Sequence, residues 1–417
     1  MPSCKRRTSL LFAATVSLAT LIGCATQKGN LAPAESLEPA GWLDVDTSLL
    51  GDHYSDYVAD VRQRLESHRL LHDPSQAELE IERAAPREYP AADHCGAKVA
   101  GIAILVHGLS DTAFAMRDLA QSLSKQCYIA RTALLPGHGT RAGDLLAVTH
   151  EDWTNTVRYL TEQAAREHDR VVLVGYSLGA IATMTVALDE NSPVDALLAI
   201  SPAYNISTMS SARFAPWLYW VYPWIDKGNS DDSQRYESMP TRAVAELVGG
   251  LKVMNALIEQ RKGYDQPWML IQSRDDSSTV PVDNQAFVLE YASDPRSRVI
   301  NFYSDQSPEA PQPDVQWIPG TNLEYRVTGL THLAVHIAPD NPHYGADGDY
   351  RGCGATDGRD LGDAKRCSDA EKVWYADWSK LPEVGAEPPT AISTFNPEYA
   401  QMETAISAFL SELDNGL

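Results

Sequence analysis

The chain has 417 residues, of which 44% are hydrophobic and 22% charged, so it can bury a sizeable core and is neither disordered nor collagen-like. A formal charge of -22 excludes nucleic acid and anionic membrane surfaces as natural partners. Its length suits two or three domains, or one α/β domain carrying insertions.

Lys5, Arg6 and Arg7 precede an apolar stretch from Leu10 to Ile22 that is too short to span a bilayer comfortably, so residues 1–23 read as an export signal. The end of the signal, "LIGC", resembles the lipobox of bacterial lipoproteins. That resemblance implies cleavage before Cys24, a diacylglycerol on its thiol and, because Ala25 rather than aspartate follows, sorting to the outer membrane. The expected location is therefore the cell envelope, with the membrane reached through the lipid anchor. Loss of Lys5, Arg6 and Arg7 with no acidic residue would take the charge from -22 to -25.

Residues 24–47 are rich in Ala, Pro, Ser and Glu without apolar periodicity and read as a flexible tether. Tyr54, Tyr57, Val58, Val61 and Leu65 then follow helical spacing. Short apolar runs at 99–109, 127–140, 170–177, 195–201 and 267–273 read as strands. Helix-like segments separate most of them, including 112–125 and 150–167, the latter opened by Thr149 with Asp152 three residues on. Continuous apolar strands alternating with helices mean a mostly parallel central sheet covered on both faces.

In "VVLVGYSLGAIAT", Ser177 stands between a buried strand and a helix, with Gly175 and Gly179 leaving room for a tight turn: a G-x-S-x-G nucleophile elbow. Together with "LVHGLSD", "LLPGHGT", "YESMP", "SRDDSSTVP" and "GLTHLAVH", it makes residues 99–340 resemble the α/β-hydrolase family, in its esterase, monoacylglycerol lipase and serine aminopeptidase-like group. The resemblance implies that fold and an oxyanion hole formed by the backbone N–H groups of Leu109 and Leu178. His107 and His138 are then loop-ordering residues rather than bases.

The serine needs a base and the base a carboxylate, which in this fold follow in the order Ser, acid, His. Asp276 fits the family register better than its neighbour Asp275. His332, in "GLTH", is preferred to His336 and His343. The core then divides into 48–204, with an N-terminal extension, and 263–339, followed by a C-terminal segment at 386–417 with a final helix. Residues 205–262 are too long for a connection and read as an inserted cap. Its aromatic cluster suggests that Trp217, Trp220 and Trp224 line an apolar acyl or aryl pocket. An Asp/Gly-rich second insertion covers 340–385.

Four cysteines remain besides Cys24 in the mature chain, and their spacing matches no zinc site. In an oxidising compartment Cys95 should pair with Cys127, linking the segments that lead into two strands, and Cys353 with Cys367, closing a local loop. The expectation is an anchored serine hydrolase acting on small-molecule or lipid-like carboxylic esters, with no metal or organic cofactor. An aminopeptidase-like amide hydrolase and a non-catalytic envelope scaffold are the alternatives. The sequence leaves the natural substrate and oligomeric state open.

Overall fold

The computed structural model describes residues 32–40, 51–228, 231–305, 312–353, 361–380 and 388–414. The export signal and Cys24 lie outside the described residues, as do parts of the tether and of both insertions.

Helices α1 (Tyr54–His68) and α2 (Ala77–Ala84) precede the sheet. In α1 the residues at helical spacing, Tyr54, Tyr57, Val61 and Leu65, are all buried, which is the pattern of one apolar face set on a core. The chain continues through β1 (Glu88–Tyr89), β2 (Gly101–Val106), α3 (Arg117–Lys125), β3 (Tyr128–Ala133), α4 (His150–Glu167), β4 (Val171–Tyr176), α5 (Leu178–Ala187) and β5 (Ala196–Ile200). The expected capping box opens α4, where the Thr149 and Asp152 side chains each serve the other's backbone N–H.

The cap holds two single-turn helices, α6 (Met209–Ala212) and α7 (Ala215–Leu218), then β6 (Trp224–Asp226), β7 (Met239–Pro240) and the long α8 (Thr241–Arg261). The core resumes with β8 (Trp268–Ser273), α9 (Pro281–Tyr291), β9 (Arg298–Tyr303) and β10 (Val315–Pro319). It is followed by α10 (Leu361–Asp369), β11 (Trp374–Ala376), β12 (Thr390–Ile392) and α11 (Tyr399–Asp414).

Eight strands form one sheet in the order β1-β3-β2-β4-β5-β8-β9-β10, parallel throughout except that β1 runs against β3. The apolar strands are explained by burial on both faces. Ile102, Ile104, Leu173 and Leu197 point to the core shared with α1, α4, α5 and α8. Ala103, Leu105, Val172, Val174 and Leu198 point to the opposite core, with α3 and α11. A parallel sheet gathers its strand-to-helix loops along one edge, and the candidate site lies there.

Residues 32–40, read as part of a flexible tether, are instead docked on the core. A 3-10 turn spans Ala34–Leu37. The Ala40 N–H donates to Asp144 Oδ1 at 2.6 Å, and Ala32 N–H to the Lys227 carbonyl at 2.9 Å. Gly143 leaves space for the crossing, because a Cβ there would stand 2.3 Å from the Glu38 carbonyl carbon. Sparse apolar residues hid a segment that is held mainly by backbone polar groups.

Both expected disulfides are present, Cys95–Cys127 and Cys353–Cys367. Among the described residues no helix is long and apolar enough to cross a membrane.

Candidate active site

Ser177 lies between β4 and α5 with φ +53° and ψ −113°, a left-handed conformation that a non-glycine residue adopts only when its surroundings impose it. Its N–H donates to the Ile200 carbonyl at 3.0 Å, and its carbonyl accepts from the N–H groups of Ala180 and Ala203. The flanking glycines are steric requirements. A Cβ on Gly179 would meet the Val106 carbonyl oxygen at 2.2 Å, and one on Gly175 would meet Thr183 Oγ1 at 2.4 Å.

Three side chains far apart in sequence converge here. Ser177 Oγ and His332 Nε2 are 2.8 Å apart, and His332 Nδ1 lies 2.6 Å from Asp276 Oδ2. The Asp276 side chain is fully buried. Its oxygens also accept from the Ser278 N–H at 2.8 Å, the Thr279 N–H at 3.2 Å and Thr279 Oγ1 at 2.8 Å. Burial opposes ionisation, but the imidazole and these donors together hold the carboxyl below its usual range.

The competing candidates are engaged elsewhere. Asp275 is bonded to Lys380 Nζ at 2.7 Å and Ser304 Oγ at 2.6 Å. His336 is buried behind Tyr176, with ring centroids 4.3 Å apart, and burial pushes it down to about 3. His343 lies between Asp232 and Asp349. His107 and His138 order loops, as expected. The former accepts the Leu135 N–H on Nε2 at 3.0 Å, and the latter has Nδ1 3.0 Å from the Pro136 carbonyl. Burial and the neighbouring His138 hold His107 well below its usual value; burial brings His138 down to about 4.

Leu109 follows the His107-Gly108 pair at the end of β2, and Leu178 is the first residue of α5. Among the described residues neither backbone N–H has an intramolecular acceptor, so both retain a donor for a ligand. The loop that carries Leu109 is gripped by the cap. Ser110, at φ +71°, accepts the Tyr236 N–H on its carbonyl at 2.9 Å, and Thr112 Oγ1 lies 3.2 Å from Gln234 Oε1. Arg235 Nε lies 3.9 Å from Asp111 Oδ1. Burial pushes the Asp111 carboxyl up to about 6, against the pull of Arg235.

A cavity of about 190 Å³ adjoins His332. The tryptophan pocket is corrected here: Trp217, Trp220 and Trp224 do not line it, and Trp217 and Trp220 are 69% and 78% exposed. Single-turn helices in this part of the cap turn their large apolar side chains outward, and clustering in sequence could not show in which direction. The lining is instead mixed, with Ser110, Asp226, Asp232, Arg235 and Glu237 facing it beside Tyr176, Met239, Leu333 and Ile392. Asp111 ends the motif "LVHGLSD" and Arg235 stands one residue before "YESMP", but sequence reasoning gives neither a role. Tyr350 and Thr394 had no local signal, because only folding brings the C-terminal part of the chain to this edge.

Residues 103–344 match the Alpha/beta hydrolase family. The thermostable monoacylglycerol lipase of Bacillus sp. (strain H-257) is 24% identical over 204 residues, 47% of this chain and 78% of that protein. Among solved structures, one of metagenome-derived lipolytic enzymes aligns at 19% identity and TM-score 0.46, covering 60% of this chain and 89% of the other. A soluble variant of monoglyceride lipase from Saccharomyces cerevisiae aligns at 16% identity and TM-score 0.45, covering 52% and 82%. The family match extends over more than half of the residues and takes in most of β2, all of β3 through β10, Ser177, Asp276 and His332, and the chain belongs to the alpha/beta hydrolase family.

Proposed function

We propose that the protein is a serine hydrolase that cleaves carboxylic esters through an acyl-serine intermediate. The observation that carries this reading is the unbroken hydrogen-bonded path from Ser177 through His332 to Asp276. In this reaction His332 Nε2 takes the Ser177 proton as Oγ attacks the ester carbonyl, and Asp276 fixes the imidazole tautomer and stabilises the imidazolium. The Leu109 and Leu178 N–H groups stabilise the tetrahedral oxyanion. Collapse expels the alcohol, which takes the proton from His332. Water activated by the same imidazole then releases the acid.

The small cavity favours short acyl groups, since pockets for drug-sized ligands enclose about 300–1,000 Å³. Two of its three carboxylates, Asp226 and Glu237, support a second reading in which a substrate ammonium is held and an aminoacyl amide is cut. We propose in addition that the mature chain is tethered to the bacterial envelope through lipidated Cys24. This rests on the "LIGC" signal, and retention of membrane association by a Cys24→Ser protein would refute it.

The central test is a fluorophosphonate probe with a panel of aryl esters, acylglycerols and aminoacyl amides. Ser177→Ala should lose both labelling and turnover while keeping its fold. Retention of ester turnover would overturn the mechanism, and amide turnover exceeding that of every ester would select the second reading.

A further inference from the structure

Asp276 sits in the loop that follows β8, and both its neighbours are tied to the second insertion. On one side Asp275 accepts from Lys380 Nζ at 2.7 Å. Lys380 also bonds Ser304 Oγ, and Asp305 Oδ2 at 2.9 Å, so one ammonium joins the acid loop to the end of β9. On the other side Ser277 Oγ donates to Asp377 Oδ2 at 3.3 Å. Asp377 is fully buried, and its other oxygen accepts from the N–H and Oγ of Ser379 at 2.9 and 2.7 Å.

Asp377 and Lys380 directly follow β11, which pairs in parallel with β12. The same two-stranded ribbon holds the loop that delivers His332. The Thr328 N–H and Oγ1 donate to the Tyr375 carbonyl at 2.8 and 3.0 Å. The Thr331 N–H donates to Ser393 Oγ at 2.9 Å, and Thr331 Oγ1 to the Ser393 carbonyl at 2.7 Å. The Ser393 N–H closes back on Ala376 at 2.9 Å. One ribbon therefore grips the acid loop with side chains and the histidine loop mainly through its backbone. It lies beyond residues 103–344, outside the family match.

We propose that the β11–β12 ribbon is a buttress that sets the Asp276–His332 register, with Lys380 and Asp377 as positioning residues for the reaction proposed above, on which this inference rests. The catalytic relay depends on two hydrogen bonds in series, and a displacement of about 1 Å in such a constellation can reduce turnover about a hundredfold. Substrate would not meet Lys380 or Asp377, because neither lines the cavity beside His332. Their effect should therefore fall on kcat and leave KM unchanged.

The test uses the full chain with Lys380→Met and Asp377→Asn, and Lys380→Arg as the conservative control. Aryl acetate kinetics are combined with hydrogen exchange of residues 274–280. Lys380→Met should lower kcat about 10- to 100-fold with KM within about twofold and faster exchange in that loop, and Lys380→Arg should recover most of the rate. Asp377→Asn should act in the same direction. Unchanged kcat and unchanged loop exchange in both variants would overturn the proposal. So would a loss shared by kcat and KM with lowered thermal stability and no rescue by arginine. If the wild type neither turns over an ester or amide nor takes the fluorophosphonate, the hydrolase reading fails. The exchange rates would still report whether the ribbon holds the loop.

Discussion

The His343 imidazole is gripped by two carboxylates, Asp232 on Nε2 at 2.8 Å and Asp349 on Nδ1, and Arg83 completes the group by bonding Asp349 at 2.9 Å. Phe114, Tyr344 and Tyr350 pack around the ring, and Tyr344 Oη also donates to Asp232 at 2.8 Å. Burial works against the imidazolium, but the two carboxylates outweigh it and raise the histidine above its ordinary value. A basic group raised in the folded state contributes stability that is fully present below its unfolded value of about 6.5, and this is lost as pH rises through the folded value. His343→Gln should thus destabilise the protein by about 1.5–3 kcal/mol near pH 6, the range for hydrogen bonds to charged groups, and by less near pH 9. Urea melts at both pH values measure this, and an equal or larger loss at pH 9 would show that the ring acts by packing alone. The sequence gives no sign of the interaction: "NPHYG" reads as turn chemistry, and Asp232, 111 residues away, meets His343 only in the folded chain. Ser177, Gly175 and Gly179 were legible for the opposite reason. Their requirement is local, a left-handed residue between a strand and a helix with backbone on both sides, and only a few residue types satisfy it.

At the scale of elements, β2, β4, β5 and β8 were readable because each is buried on both faces and so is written as an unbroken apolar run. Asp276 and His332, which the fold brings into hydrogen-bonded line with Ser177, were readable because each lies in a loop after a strand, in the chain order Ser, Asp, His. The face that the cap turns to the site was not, since aromatic residues bunched in a short segment are compatible with either a lined pocket or an outward face. In the folded cap Phe214, Trp217, Leu218, Trp220, Val221, Tyr222 and Ile225 are all exposed, while the side chains of Gln234 and Arg235 and the backbone N–H of Tyr236 meet the loop after β2. The part of the cap that touches the site's edge is therefore the polar turn after the aromatic cluster. Trp217→Ala combined with Trp220→Ala should leave kcat/KM for soluble aryl acetate and butyrate esters within about twofold of wild type, as expected for surface substitutions worth about 0.5 kcal/mol. The ratio between the two esters should not change. A loss that grows with acyl length would return these tryptophans to the acyl site.

Across the whole molecule, the site is assembled where the C-terminal ends of the parallel strands meet the cap, the second insertion and the residues after β12, so the two disulfides have different reach. Cys95 and Cys127 lie before β2 and β3, at the opposite ends of those strands from the site. Cys353 directly follows Gly352, which lines the cavity and bridges to Ile392, another lining residue. Its bond to Cys367 pins this wall to α10, which leads into the β11–β12 ribbon. Loop entropy alone makes the two bonds similar in weight, at about 3–4 kcal/mol each for closures of 14 and 32 residues. Cys95→Ser with Cys127→Ser should therefore lower thermal stability and leave kcat and KM at a permissive temperature unchanged. Cys353→Ser with Cys367→Ser should lower stability by a comparable amount and also raise KM, because one wall of the cavity is released. Steady-state kinetics at 20 °C beside thermal melts distinguish them. Equal kinetic damage from both pairs would mean that the sheet transmits strain along its length, and that the C-terminal residues around the site are not its locally tunable wall.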